Sequence, residues 1–353
     1  MEKTHIYIFA ISFVFILTSI RISSLTVEIP YQISYDNNLP QSSQDFPVLP
    51  VTGCTIFTVE FNNEIYFASS EDESGPRKNT RFWFVPAPDE STYGAVYFGF
   101  TDNLPGADDI DGLAVGGMNS QGLCFDANGV MPPVYLTPNQ GGPARSSISD
   151  WEVILQECAT VEDVIQWHMT HNMGGWWGNQ IHWADATGKA VVISAGRNHH
   201  VAFTRKFGDF LISTNFNLDN YSHGSYPCPR YSAVKNNLEY FIDNNDITEK
   251  HIQEILRMVH LEGTSSYIGT VYSYIMYPQT RDVVLYIQRD YEYPVRFNLY
   301  DELLRGEHEV RIVPDLKSNA LSSSSVVTQG FDMVLLYPLI IVLMLSRIKN
   351  KRT

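Results

Sequence analysis

The sequence contains few cysteines and little positive charge. Only four of the 353 residues are cysteine, too few for a disulfide scaffold of this size, so the fold must depend on its hydrophobic core. The chain has 24 Lys and Arg against 39 Asp and Glu, a formal net charge of −15. The charge is spread along the chain, so we expect no nucleic-acid partner, because such partners need clustered positive charge.

Several catalytic and ligand-binding signatures are also missing. The sequence has no Gly-Xaa-Ser-Xaa-Gly motif, no phosphate-binding loop and no dinucleotide fingerprint, which disfavours serine hydrolases and enzymes that use nucleotide or redox cofactors. His168 and His171 lack a third ligand at useful spacing, and the acidic turn at 108–112 lacks the closing glutamate of a calcium loop. We therefore expect neither a cofactor nor a metal.

The first long apolar run lies near the start of the chain. Lys3 precedes an apolar stretch over 6–17, and small residues follow at Ser19, Ser23 and Ser24. This layout predicts a secretory signal peptide over 1–25, with an uncleaved membrane anchor as the alternative. The next segment, 26–53, is rich in proline and polar residues without a sustained period, which indicates a propeptide or linker.

The second apolar run lies near the other end. A Ser-rich linker over 316–330 leads to a predicted transmembrane anchor over 331–346 and a basic tail over 347–353. A glycolipid anchor is the alternative, although such signals normally end apolar and this one ends charged. These features predict a protein of the secretory pathway that is membrane-anchored with its central domain lumenal or extracellular. The sequon at Asn220 predicts possible N-glycosylation.

The middle of the chain, 54–315, is interpreted as one domain of the α+β class. Short aromatic runs predict strands, and Asn62-Asn63 predicts a hairpin turn because asparagine tolerates positive φ. Helical spacing predicts two helices within 147–171, capped at Ser149 or Asp150 and at Thr160, and two more within 230–260. A further hairpin is predicted to turn through 278–282. Strands and helices come in blocks, which favours stacked layers over alternating β-α-β units.

Cys54, which begins the strand-like run 54–61, has three interpretations. It could be a buried structural cysteine, because free cysteine is among the most buried residue types. It could be half of a disulfide in a secreted chain. It could also be a nucleophile, which needs an activating base and an oxyanion site nearby. Spacing alone leaves all three open.

Eight segments of the chain resemble segments of a known enzyme family, and they occur in the same order as in that family. They are "GCTIF", "SSEDE", "GGMNSQGLCFDANG", "TVEDVIQ", "IHWADATGKAVVI", "STNFNLDN", "CPRY" and "GTVYSYI". Together they are similar to the N-terminal-nucleophile amidases of the linear amide hydrolase group, which includes choloylglycine hydrolase, penicillin V acylase and the fungal acyltransferase that remodels penicillins. The similarity covers nearly all of 54–290.

The resemblance implies a four-layer αββα sandwich with two stacked, mainly antiparallel sheets, whose nucleophile is the first residue of the mature chain. It implies self-cleavage between Gly53 and Cys54. The implied site residues are the nucleophile Cys54, the acid Asp72, Asn128 with a backbone amide for the oxyanion hole, Asn215 with the side-chain donor of that hole, and Arg230 near the nucleophile.

Elementary chemistry fits these implied roles. A freed Cys54 has an α-amine with a pKa of about 7.7–8.0, which lets it take the thiol proton without a histidine. We expect the charge of Arg230 to lower the pKa of the thiol. One departure is that Ser69 and Ser70 stand where the bile-salt and penicillin enzymes place an arginine.

The sequence thus predicts a hydrolase that cleaves a linear carbon–nitrogen amide bond of a small N-acyl molecule. One alternative is an acyltransferase that passes the acyl group to an amine. Another is a catalytically inactive surface binding protein on the same fold, with Cys54 held in a disulfide. The acyl and amine parts of the substrate do not follow from the sequence.

Overall fold

The computed structural model describes most of the central domain predicted from the sequence. The described residues are 53–73, 80–100, 113–137, 150–171, 175–222, 224, 226–263 and 269–312. The predicted signal peptide, the propeptide up to residue 52, and the C-terminal linker, anchor and tail lie outside these ranges. Within them, no helix is both long and apolar enough to cross a bilayer.

Strands make up most of the described chain. In chain order they are β1 (Thr55–Phe61), β2 (Glu64–Glu73), β3 (Thr80–Val85), β4 (Ala95–Phe100), β5 (Leu113–Asn119), β6 (Cys124–Leu136), β7 (Gly175–Ala184), β8 (Ala190–Ala195), β9 (Val201–Arg205), β10 (Phe210–Ser213), β11 (Gly269–Tyr277), β12 (Asp282–Ile287), β13 (Val295–Asn298) and β14 (His308–Ile312). The helices are α1 (Asp150–Glu157), α2 (Val161–Thr170), α3 (Pro229–Asp243), α4 (Glu249–Val259) and α5 (Leu299–Leu303).

The strands form two sheets in which neighbouring strands run antiparallel. The six-stranded sheet has the order β10-β1-β2-β11-β12-β13, and the eight-stranded sheet has the order β14-β3-β4-β5-β6-β7-β8-β9. Strands β1 and β2 therefore lie inside the smaller sheet, with partners on both edges. This central position fixes the start of β1, where Cys54 lies, more firmly than an edge position would.

The core between the two sheets is apolar and aromatic. Ile56, Phe67 and Met276 of the six-stranded sheet pack against Phe98 and Met118 of the eight-stranded sheet. All five side chains are fully buried. Burying a large apolar side chain contributes about 1.5–3 kcal/mol, so this layer accounts for much of the stability that four cysteines could not supply.

The outer face of each sheet is covered by helices. Ile154 of α1 packs with Trp183 on the outer face of the eight-stranded sheet. Leu238 of α3 packs with Phe57 on the outer face of the six-stranded sheet. The layers are therefore helices, sheet, sheet and helices, which confirms the expected α+β class and the αββα arrangement.

Local sequence signals predicted the positions of several elements correctly. Asn62 and Asn63 have φ of 51° and 65° in the turn between β1 and β2, as the predicted hairpin requires. Thr160 and Asp163 form a capping box at the start of α2. Elements β13, α5 and β14 were not predicted, because each is only four or five residues long and a period cannot be read over so few positions.

Candidate active site

Four strand ends meet at one end of the six-stranded sheet. Because the strands are antiparallel, β1 and β11 begin where β2 and β10 end: Thr55 lies opposite Ser70, Ile56 opposite Ser213 and Asp72 opposite Thr270. The residues just beyond these strand ends are therefore brought together. Helix α3 begins beside these residues. Strand β6 of the eight-stranded sheet also reaches them, because its residue Asn128 bonds Cys54.

Cys54 lies at the centre of this cluster. It is 5% exposed, and its thiol donates a hydrogen bond of 2.7 Å to Oε2 of Glu71. Its carbonyl oxygen accepts a hydrogen bond of 3.1 Å from Nδ2 of Asn128. The nucleophile predicted from the sequence is thus held at both its side chain and its backbone.

Arg230 connects most of the remaining site residues. One terminal nitrogen, Nη1, donates to the carbonyl oxygen of Gly53 and, at 2.9 Å, to Oγ1 of Thr55. It also lies 3.4 Å from Oδ2 of Asp72. The other, Nη2, donates to Oδ1 of Asn215 at 2.6 Å. The forked guanidinium can meet all four groups at once because its donors point in fixed directions.

The carboxamide of Asn215 covers Gly53. Its Nδ2 donates to the carbonyl oxygen of Gly129 at 2.9 Å, which sets the plane of the amide. A Cβ atom built on Gly53 would overlap the side-chain amide of Asn215. Glycine is therefore required here by the close approach of Asn215, immediately before the bond expected to be cut.

Asn128 is fully buried, and only one of its two side-chain polar atoms has a hydrogen-bond partner among the described residues. Its Nδ2 holds Cys54, while its Oδ1 has no hydrogen-bond partner among the described residues. The sequence assigned a role to the backbone amide of Asn128, which stays a prediction. The structure adds a contact of the side chain, which donates to the carbonyl oxygen of Cys54.

Asp72 is a buried carboxyl with an unusual pKa. Burial raises the pKa to about 7, although the charge of Arg230 and a hydrogen bond from Thr270 act against the rise. The pairing of β2 with β11 shifts register between Thr270 and Tyr272. This irregularity lies beside Asp72 and changes the local twist of the strands, which is common next to functional sites.

Similar architecture occurs in solved enzyme structures. Two structures of variants of conjugated bile acid hydrolase from Clostridium perfringens align with TM-scores of 0.54 and 0.56 and identities of 15% and 14%. They cover 73% and 74% of this chain and 96% and 97% of their own. The chain has the N-terminal-nucleophile hydrolase fold. The expected resemblance is confirmed at the level of fold, because identity this low establishes no more.

Other comparisons add less. Penicillin V acylase from Agrobacterium tumefaciens aligns at 14% identity over 69% of this chain and 84% of its own, with a TM-score of 0.41. No protein-family model matches the chain, and no curated protein sequence does. The N-terminal-nucleophile fold therefore rests on three-dimensional similarity.

The electrostatic setting of Cys54 differs from the one expected. Burial raises the pKa of the thiol well above its usual value, and the carboxylates of Glu71, Asp126 and Asp72 add to the rise. In the uncut chain the charge of Arg230 does not offset this rise, and its effect on the thiol of the matured chain stays a prediction. The guanidinium is directed at Gly53, at its other hydrogen-bond partners and at Asp72, while three acids surround the thiol.

The five residues predicted for the site lie together in the structure, and a sixth residue that was not predicted, Glu71, contacts the thiol. Cys54, Asp72, Asn128, Asn215 and Arg230 all converge, in the contacts given above. Glu71, which bonds the thiol, was overlooked, although it stands next to Asp72 in the quoted segment "SSEDE". Three successive acids, Glu71, Asp72 and Glu73, end this strand and were the available signal, since Glu and Asp are rarely buried without a partner.

The structure also describes the four cysteines and the predicted glycosylation site. All four cysteines are described, and each is a buried free thiol, so the disulfide interpretation of Cys54 is wrong. Asn220 lies in the turn region after β10, and its Oδ1 accepts a 2.7 Å hydrogen bond from Ser222. Glycosylation of Asn220 stays a prediction.

The pKa of Asp72 predicts a pH dependence of stability. Between about pH 4 and pH 7 the folded chain keeps a proton on Asp72 that the unfolded chain has lost, so raising the pH through this window destabilises the fold. In a Cys54→Ala background, where the expected cut cannot occur, Asp72→Asn removes this effect. Relative to its parent it should gain up to about 4 kcal/mol across the window.

Urea unfolding of the two proteins at several pH values within the window measures this difference. If the stability of Asp72→Asn minus that of its parent stays constant or falls as the pH rises, the raised pKa of Asp72 is contradicted. Subtracting the free energy of unfolding of one protein from that of the other cancels the contributions of the other carboxyls, because those groups are identical in both.

Proposed function

We propose that this protein is a cysteine-type N-terminal-nucleophile hydrolase that cleaves a linear carbon–nitrogen amide bond of a small N-acyl molecule. It matures by cutting itself between Gly53 and Cys54. The observation that supports this most is the convergence of polar side chains on that one peptide bond: Arg230 on the Gly53 carbonyl, Asn215 over Gly53, and Asn128 on the Cys54 carbonyl.

The proposed reaction begins with the freed α-amine of Cys54. That amine takes the thiol proton, and the thiolate attacks the substrate carbonyl. Once the leader is gone, Gly53 no longer covers Asn215, so its carboxamide can meet the oxyanion together with the backbone amide of Asn128. One such donor is worth about 10²–10³ in rate. Asp72 accepts a hydrogen bond from the α-ammonium, the amine product leaves, and water releases the acyl group from the thioester.

The fold supports the class of reaction and leaves the substrate open. The similar structures are of enzymes named for hydrolysing conjugated bile acids. The setting of the nucleophile differs in this chain, because Ser69 and Ser70 replace the arginine expected from the resemblance and Glu71 bonds the thiol. We therefore propose the linear amide bond as the target without assigning bile acids.

Two measurements on the full chain test the proposal. N-terminal sequencing of the purified protein is expected to find Cys54 as the first residue. A screen of N-acyl amides, scored for released amine, is expected to find a substrate for that matured form. An active protein whose chain still begins near residue 25 would overturn the mechanism, since Cys54 would then have no free α-amine.

Gly53→Ala is expected to slow self-cleavage. The new Cβ would overlap the Asn215 carboxamide, so either Asn215 or the Gly53 carbonyl must move away from Arg230. Displacements near 1 Å in a reacting geometry cost up to about 10²-fold in rate, and we expect a loss of about 10–10²-fold. Mass spectrometry of uncut and cut chains over time measures it.

Gly208→Ala is the matched control for this substitution. Gly208 has φ of 77°, so alanine there is strained, but nothing lies within 4 Å of the added Cβ. The control should lose some stability and keep its cleavage rate. Equal cleavage rates in the two alanine variants would show that the contact between Gly53 and Asn215 does not matter.

A further inference from the structure

The uncut chain poses a chemical problem that the mature enzyme does not have. Before cleavage the nitrogen of Cys54 belongs to a peptide bond, so no α-amine is present to take the thiol proton. Another group must accept that proton when the sulfur first attacks. His182 does not serve, because its ring is buried and bonded to Thr58 at 2.9 Å and to Ser213 at 3.0 Å.

Glu71 is placed to accept the proton. Its Oε2 lies 2.7 Å from Sγ of Cys54, within the range for proton transfer between positioned groups. Of the three acids near the thiol, Glu71 is the one whose carboxylate accepts the hydrogen bond of the thiol. Asp72 accepts from Thr270 and faces Arg230, and Asp126 accepts from Tyr274 and from a backbone amide.

The carbonyl oxygen of Gly53, in the peptide bond to be cut, also contacts a cation. Nη1 of Arg230 donates to the carbonyl oxygen of Gly53, the atom that becomes negative when sulfur adds to the carbonyl carbon. The side chain of Arg230 is only 10% exposed, so water screens this charge weakly. A base on the attacking atom and a cation on the developing oxyanion therefore flank one peptide bond.

We propose that Glu71 is the general base of self-cleavage, an inference that rests on the proposed function. As Sγ of Cys54 bonds to the carbonyl carbon of Gly53, the thiol proton passes to the Glu71 carboxylate and the carbonyl electrons pass to oxygen. The intermediate collapses by breaking the bond to the Cys54 nitrogen, which takes the proton back from Glu71. The product is a thioester of Gly53 on Cys54 with a free α-amine.

Water completes the reaction without any oxidant or cofactor. It hydrolyses the thioester, releasing the leader with a Gly53 carboxylate and restoring the thiol. The new α-ammonium then stands among Glu71, Asp72 and Asp126. Its positive charge opposes the three carboxylates that raise the pKa of the thiol in the uncut chain, so cleavage itself prepares Cys54 for its later role.

The test is the rate of self-cleavage in the full-length chain. Glu71→Gln keeps the size of the side chain and removes its basicity, and we expect cleavage to slow by about 10²–10⁴-fold. Glu71→Asp keeps a carboxylate and should cleave at an intermediate rate. Glu90→Gln, at an exposed turn, is the matched control and should cleave like the parent.

Hydroxylamine identifies the step that is affected. It cleaves thioesters, so it accelerates processing when thioester hydrolysis is slow. If Glu71 assists the first attack, hydroxylamine should not restore cleavage of Glu71→Gln. Circular dichroism of each variant confirms that it is folded, and if Glu71→Gln is not, the Glu71→Asp rate decides the question.

The outcomes separate this inference from the proposed function. Glu71→Gln and Glu71→Asp chains that cut themselves as fast as the parent would overturn the role of Glu71 and leave the function standing. Slow cleavage in Glu71→Gln, together with a matured parent that hydrolyses none of the amides screened, would support Glu71 and count against the proposed function. A parent that never cuts before Cys54 would overturn both.

Discussion

Cys54→Ala is expected to leave the whole chain uncut and to abolish amide hydrolysis. Alanine supplies no sulfur to attack the Gly53 carbonyl, so neither the thioester nor the new N-terminus can form. Asn128, Asn215 and Arg230 should keep their places, because their bonds are to backbone atoms and to one another. The fold is therefore expected to survive while processing and turnover both fall to background.

Cys158→Ala provides the control for losing a buried thiol. Cys158 is 3% exposed and packs in the helical layer on the far face of the eight-stranded sheet. Its loss should cost some stability and leave cleavage and turnover intact. Intact-mass measurement, N-terminal sequencing and amine release compare the three proteins. A Cys54→Ala chain that still begins at residue 54, or still releases amine, would contradict the nucleophile assignment.

Arg230→Met is expected to have the second largest effect. The substitution keeps much of the side-chain length and removes every donor that reaches Gly53, Thr55 and Asn215. It also removes the positive charge that lowers the pKa of Asp72, so that buried carboxyl should become harder to ionise. We expect self-cleavage to slow by at least about 10²–10³-fold, the value of one oxyanion donor.

Arg230→Lys should restore little of this loss. The guanidinium uses two separate nitrogens, Nη1 toward Gly53 and Nη2 toward Asn215, and the single nitrogen of lysine cannot occupy both positions. Arg205→Met is the matched control, because Arg205 pairs with Glu162 at the surface, where such pairs contribute about 0–1 kcal/mol. Rates of leader release and melting temperatures distinguish the variants. Cleavage by Arg230→Met at the rate of Arg205→Met would show that the Gly53 carbonyl needs no cation.

The fold was largely predictable from local patterns. The Asn62-Asn63 turn, the Thr160 cap and the apolar faces of α3 and α4 each follow from neighbouring residues, because turn geometry, capping and helical period act over a few positions. The grouping of strands and helices predicted stacked layers, and the αββα order came from the resemblance to a known family. The short elements β13, α5 and β14 could not be found this way.

Five residues of the candidate site were predicted, whereas Glu71 and the contacts among the six residues were not. Cys54, Asp72, Asn128, Asn215 and Arg230 were assigned through an ordered set of motifs, since each motif keeps its local residues whatever the surroundings. The partner of the thiol was not, because a strand pattern places Glu71 and Asp72 on alternating sides without showing which one meets Cys54. The structure assigns that contact to Glu71.

The sequence by itself thus determined the longer elements and the layered class, and its resemblance to a known family predicted Cys54 as the nucleophile. Only the tertiary structure decided the electrostatics of the site. Arg230 reaches Gly53 across 177 positions of sequence, and Thr270 reaches Asp72 across 198. The direction of a pKa shift depends on burial and on which charges lie within a few ångströms, and both are set by packing of distant segments and not by local sequence.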